Sequence, residues 1–130
     1  MINSNAFNYI NVLKTAADAS WKRNEVIVNN IANVSTPGYK RKDVRFESLL
    51  MTALTGDNSL DKRVAGIRAD RIKPQVYTDY SNLSYRLDGN NVDIDTESAN
   101  LAENYIKYSA IMDSITQEFG RLKMVLQNYK

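Results

Sequence analysis

The sequence predicts a mainly α fold: long N- and C-terminal helices pairing as a coiled coil, with a small central β-hairpin and extended region between them. Three observations predict it. Apolar residues recur at heptad spacing near both ends of the chain, and no proline interrupts either run. Between the runs, Leu83, Tyr85 and Leu87 alternate with Ser84 and Arg86, the period of a half-buried strand. The expected organisation is residues 1–35 as the N-terminal helix, 36–95 as arm, loop and hairpin, and 96–130 as the C-terminal helix.

The first helix is expected from about Ser4 to Val34. Ile10, Leu13, Ala17, Trp21, Ile27, Val28, Ile31 and Val34 share one stripe, with Phe7 leading in. Ser20 and Asn24 interrupt that stripe, and polar residues in such a seam fix register more than they add stability. The opposite face carries Lys14, Asp18, Lys22, Arg23 and Glu25. Its mixed charges argue against a basic helix lying on a membrane.

A turn ends this helix. Pro37 disfavours the helical region at Thr36. Pro37-Gly38 suits the central positions of a type II turn, with glycine at positive φ, where Val or Ile is expected to clash. Residues 40–47, Lys-Arg-Lys-Asp-Val-Arg-Phe-Glu, then suggest a short strand or extended arm leading into one helical turn. Residues 55–63 read as a flexible loop, and Val76 and Tyr77 as strand. Asp88-Gly89-Asn90-Asn91 forms the expected hairpin turn, from which Val92 and Ile94 return.

The C-terminal helix carries the strongest pattern. Leu101, Tyr105, Tyr108, Met112, Ile115, Phe119, Leu122, Leu126 and Tyr129 alternate spacings of four and three without a break. Asp95 or Thr96 is the expected N-cap, with Glu97 favourable in the first turn. Thirty-five residues would run about 50 Å, too long to sit under one small domain of this size. The seam therefore calls for long partners, from this chain and from others. The expected subunit interface comprises these nine residues together with Ile10, Leu13, Ala17, Trp21, Ile27, Val28 and Ile31.

Composition excludes several functions. The 130 residues contain neither Cys nor His, which removes thiol chemistry, the commonest general base and the commonest transition-metal ligand. The net charge of +2 sets up no strong field for nucleic acid. No run approaches 18 apolar residues, and the first residues lack a basic segment followed by an apolar one, so neither a membrane span nor a Sec-type signal is expected. Asp88, Asp93, Asp95 and Glu97 do not fit a calcium loop. No nucleotide or hydrolase motif occurs. We expect no enzyme, no metal and no cofactor.

Two motifs carry a resemblance. Asn30-Ile31-Ala32-Asn33 followed by Thr36-Pro37-Gly38-Tyr39-Lys40 resembles the N-terminal signature of the axial proteins of the bacterial flagellum, the rod, hook and hook-associated subunits. The chain length resembles the small proximal-rod subunits among them. Asp88-Gly89-Asn90-Asn91-Val92-Asp93-Ile94-Asp95, with Glu97, Ala102 and Lys107-Tyr108, resembles the C-terminal half of the FlgB-type rod family. The motifs bracket the chain, while residues 50–80 match nothing recognisable. The resemblance implies a structural subunit that assembles helically in the proximal rod, forms the channel for exported proteins and transmits torque. It also implies export through the flagellar type III apparatus. The implied partners are copies of the chain itself, other rod proteins, the adaptor at the rod base and the membrane ring, with no nucleic acid. The alternative is a soluble coiled-coil adaptor that binds RNA through its basic arm. From Lys40 to Lys73 nine Lys or Arg face five acids, although a solvated arm or a contact for acidic neighbours explains them more simply.

Overall fold

The computed structural model describes residues 5–68, 71–83 and 86–128, apart from the side chains of residues 5 and 6. Helix α1 spans Asn5–Ala32, strand β1 Lys42–Arg45, α2 Glu47–Leu54 and α3 Leu60–Gly66. Strand β2 spans Gln75–Thr78, and α4 runs from Ile94 to Gln127. At 1.5 Å per residue α1 is about 42 Å long and α4 about 51 Å. The two helices pack together along their length and are antiparallel: Asn30 meets Glu97, while Ser20, ten residues earlier, meets Asn104 further along α4.

The seam that α4 turns toward α1 is not purely apolar. Glu97, Leu101, Asn104, Tyr108, Ile111, Ile115, Glu118 and Leu122 are buried or half-buried at spacings of four and three, and Asn100 and Ser114 beside them are half-buried too. In mid-seam, Ser20 donates from its hydroxyl to the Asn104 side-chain oxygen at 3.0 Å. The Asn104 amide donates to the Ser20 carbonyl at 2.8 Å and to the Asn24 side-chain oxygen at 2.9 Å. The polar interruption of α1 is thus matched by a polar residue on α4, as a register-fixing layer requires.

A neighbouring stripe of α1 carries the arm. Ala19 and Val26 form the core with Val44 of β1, Phe46 and Ile72, and Leu49, Leu50 and Ala53 of α2 and Ile67 pack partly against it. Residues 42–45 pair with residues 75–78 as an antiparallel ladder, Lys42 opposite Thr78 and Arg45 opposite Gln75. The guanidinium of Arg45 lies 5.3 Å over the Tyr77 ring. Arg23 of α1 ties the arm down, donating to the Val44 carbonyl at 2.6 Å and pairing with Glu47.

The sheet is where Val44, Val76 and Tyr77 suggest it, but the hairpin expected between Leu83 and Ile94 does not form. Leu87 lies fully exposed in a turn, and Ile94 is the first residue of α4. Tyr85 and Ser84 fall outside the described residues. The reason is local: Asn90 turns its side-chain oxygen back to the Val92 N–H at 2.7 Å, occupying a group that a ladder would need. Asp93 is the N-cap of α4, accepting from the Asp95 N–H at 3.1 Å, in place of Asp95 or Thr96. The expected loop at 55–63 ends at Ser59, the N-cap of α3, and that helix buries Val64. The expected single turn after Phe46 extends to the eight residues of α2. Tyr129 lies outside the described residues.

Candidate assembly interface

The two sequence signatures meet in space. The turn after α1 is the expected one: Tyr39 N–H donates to the Thr36 carbonyl at 3.2 Å, with Gly38 at φ +70°. A Cβ at Gly38 would meet nothing within 4 Å, so the expected clash is with its own backbone and the cost is conformational. Gly38 N–H donates across to the Asp88 carbonyl at 2.8 Å, and Asn91 N–H to the Tyr39 carbonyl at 3.3 Å.

Asn90 holds the turn that follows α1. Carbonyls in such an irregular segment have no ladder partner and need side-chain donors. The fully buried Asn90 amide donates to three carbonyls, those of Asn33 at 2.9 Å, Val34 at 3.1 Å and Thr36 at 2.8 Å. Arg86 adds a bond to the Val34 carbonyl at 2.8 Å. Asn91 does the same for the arm, donating to the Asp79 and Ser81 carbonyls at 2.8 Å each and accepting from Arg41 N–H at 2.6 Å.

Asn30 and Glu97 are both buried and face each other. Asn30 Nδ2 donates to Glu97 Oε2 at 2.9 Å and to the Lys42 carbonyl at 2.7 Å, while its Oδ1 accepts from Lys42 N–H at 2.9 Å. The second Glu97 oxygen accepts from Arg41 Nε at 2.7 Å. Burial works against the Arg41 charge, but the adjoining Glu97 carboxylate outweighs it and holds the guanidinium pKa up. Removing one partner of such a buried pair costs about 3–5 kcal/mol. The clasp formed by these residues joins the end of α1, the start of α4 and the root of the arm.

The predicted interface residues separate into two groups. Ile10, Ala17 and Ile27 are buried within the chain, and Leu13, Ile31, Leu101, Tyr108, Ile115 and Leu122 are half-buried. Trp21, Val28, Tyr105, Met112, Phe119 and Leu126 are exposed. Pro37 and Gly38 are also exposed, at the tip of the turn. A single helix partner covers one line of contact. The heptad line at 101, 108, 115 and 122 serves α1, and its companion at 105, 112, 119 and 126 lies to one side. The sequence pattern alone could not separate them, because Glu97, Asn104 and Glu118, which complete the α1 seam, are polar.

The exposed residues form an apolar surface along both helices. Phe7, Trp21 and Val28 recur at multiples of seven on α1, and Tyr105, Met112, Phe119 and Leu126 at sevens on α4. The Trp21 ring lies 6.1 Å from that of Tyr108, bridging the helices at this surface. Seven large apolar side chains exposed at heptad spacing on two neighbouring helices are more than a scatter of single exposed residues. Among the described residues, no helix is long and apolar enough to cross a membrane.

Known proteins place the chain. Residues 10–40 match the family model described as flagella basal body rod protein. The flagellar basal body rod protein FlgB of Bacillus subtilis is 35% identical over 126 residues, covering 91% of this chain and 92% of the relative. FlgB of Proteus mirabilis is 35% identical over 116 residues, covering 82% and 84%. FlgB of Escherichia coli is 32% identical over 120 residues, again covering 82% and 84%. With identity at this level over most of its length, the chain belongs to the FlgB family of flagellar basal body rod proteins, structural subunits of the bacterial flagellum's basal body.

Proposed function

We propose that this rod subunit joins its neighbours through the exposed stripe of Tyr105, Met112, Phe119 and Leu126, flanked by Trp21 and Val28. The observation that carries this reading is the stripe itself: four large apolar residues at heptad spacing, all on one helix and all exposed. About half of each side chain is already covered, so covering the rest contributes roughly half of the 1.5–3 kcal/mol of a full burial. Helices of neighbouring subunits laid side by side along such stripes close a tube, which serves as the channel and carries torque from one subunit to the next. The family membership supports passage through the flagellar export apparatus and contact with other rod proteins, the rod-base adaptor and the membrane ring. It offers nothing to an RNA-binding adaptor, and the arm's Arg41 and Arg45 are already engaged within the chain.

The test is Phe119→Asp. Phe119 is 53% exposed, so the variant keeps its fold, a change at such a site costing within about 0.5 kcal/mol. Cells expressing it are separated into cytoplasm, periplasm, medium and purified basal bodies. The expected result is soluble protein that is absent from basal bodies. Wild-type amounts in basal bodies would refute the stripe as the assembly surface.

A further inference from the structure

Helix α2 has a composition that its surroundings do not explain. Leu49, Leu50, Met51, Ala53 and Leu54 leave only Glu47, Ser48 and Thr52 polar. A helix apolar nearly all round is ordinarily covered on all sides. None of its residues is buried, and Met51 is 67% exposed. Between α2 and α4 runs a groove of about 350 Å³, walled by Ala16, Ala19, Phe46, Leu50, Ala110 and Ile111. The outer side of α2, with Met51 and Leu54, continues the apolar wall.

The groove and the stripe lie on opposite flanks of α4. Two residues along a helix turn the side chain by about 200°. Met112 of the stripe stands two residues from Ala110 of the groove wall, and Tyr105 two residues from Lys107 at the groove rim. The molecule therefore carries a convex apolar line and a concave apolar slot that point away from each other.

We propose that this groove receives the Tyr105–Met112–Phe119 stripe of a second copy of the chain, an inference that rests on the rod-subunit reading above. Charge favours a copy as the occupant. With the internally paired Arg41 and Glu97 set aside, the α4 helix carries four carboxylates and three cations, a net charge of −1, while residues 40–73, which include α2, carry eight cations and five carboxylates, a net charge of +3. Laying α4 of one copy along the arm of the next brings opposite fields together. The geometry also sets the kind of assembly. A contact between two different patches is head-to-tail, and repetition gives a ring or an open helix in place of a closed pair.

The chain has no cysteine, so paired cysteines report contacts without background. Leu50→Cys and Met112→Cys are expressed singly and together in swimming cells, and their basal bodies are purified, oxidised and resolved without reductant. A disulfide forms only where Cα atoms come within about 7 Å. The expected result is a ladder of dimer, trimer and larger species from the double variant, with no dimer from either single variant. Met51→Cys, on the exposed side of the same helix, replaces Leu50→Cys if the latter abolishes swimming. A dimer from Met112→Cys alone would show stripe against stripe and overturn the proposal. So would absence of a ladder from double-variant chain recovered in basal bodies, or cross-links only to a different protein. These outcomes leave the rod-subunit reading standing; that reading fails separately if the unsubstituted chain is missing from basal bodies.

Discussion

Asn90 shows how much of this fold rests on single amides. Its side chain satisfies three carbonyls of the turn after α1 and one N–H of its own segment. Leaving buried polar groups unpaired costs about 1–3 kcal/mol each. Asn90→Ala should therefore lower stability by about 3 kcal/mol or more, measured by urea unfolding, whereas Asn82→Ala, at an exposed position, should change it little. Equal effects of the two would remove Asn90 from the role of holding that turn. The motif containing Asn90 was legible in the sequence, yet its purpose was not. A run of Asp, Gly and Asn reads as a turn whichever carbonyls its side chains find, and those found here lie 54 to 57 positions earlier in the chain. Glu97 stands in the first turn of α4 as expected, but its second role was hidden for a similar reason. A carboxylate in a first helical turn is explained by the helix dipole, and nothing local announces that Arg41 and Asn30 will enclose it.

Among the elements, the two long helices were the most legible, because their heptad spacing persists over many turns. Their ends moved by only a few residues from the expected ones. The centre was less legible. Residues 83–87 alternate like a strand and Val92 and Ile94 read as its return, but side-chain bonds from Asn90 and Asn91 hold the segment around them irregular. The polar layer of Ser20, Asn24 and Asn104 was half visible, from the α1 side only. Asn104→Ala should cost about 1–3 kcal/mol in thermal or urea unfolding, since Ser20 is buried and loses its acceptor. Replacing the layer whole, as Ser20→Ala with Asn24→Leu and Asn104→Leu, should recover that stability while relaxing register. The signature would be doubled amide resonances along α1 in an NMR spectrum, and a single sharp set would show that register is fixed elsewhere.

For the molecule as a whole, acid should open the clasp first. Hydrogen bonds from Ser81, with Arg41 adding to them, hold the Asp79 carboxyl below its usual range. Asp88 is lowered likewise, chiefly by Arg86 and then by the Asn90 N–H. A carboxyl depressed in the folded state stabilises it above the unfolded pKa of about 4, and that contribution is lost as pH falls through the lower folded value. The side-chain amide resonances of Asn90 and Asn91 should thus collapse below about pH 4, before helical circular dichroism is lost. Retention of both to pH 2 would detach the clasp from these carboxylates. The clasp and the polar layer together govern when the chain can fold. Ser20 waits for a partner 84 positions later, and Asn30 for one 67 positions later. A ribosome that has released α1 has made a helix whose polar seam, exposed carbonyls and core stripe are all unsatisfied, and contacts this distant in sequence slow folding. The arm can close its core on Ala19 and Val26 once Ile72 has emerged, but the polar seam and the Asn30 side chain stay without their α4 partners until the last helix exists, so the subunit locks only at the end of its own synthesis.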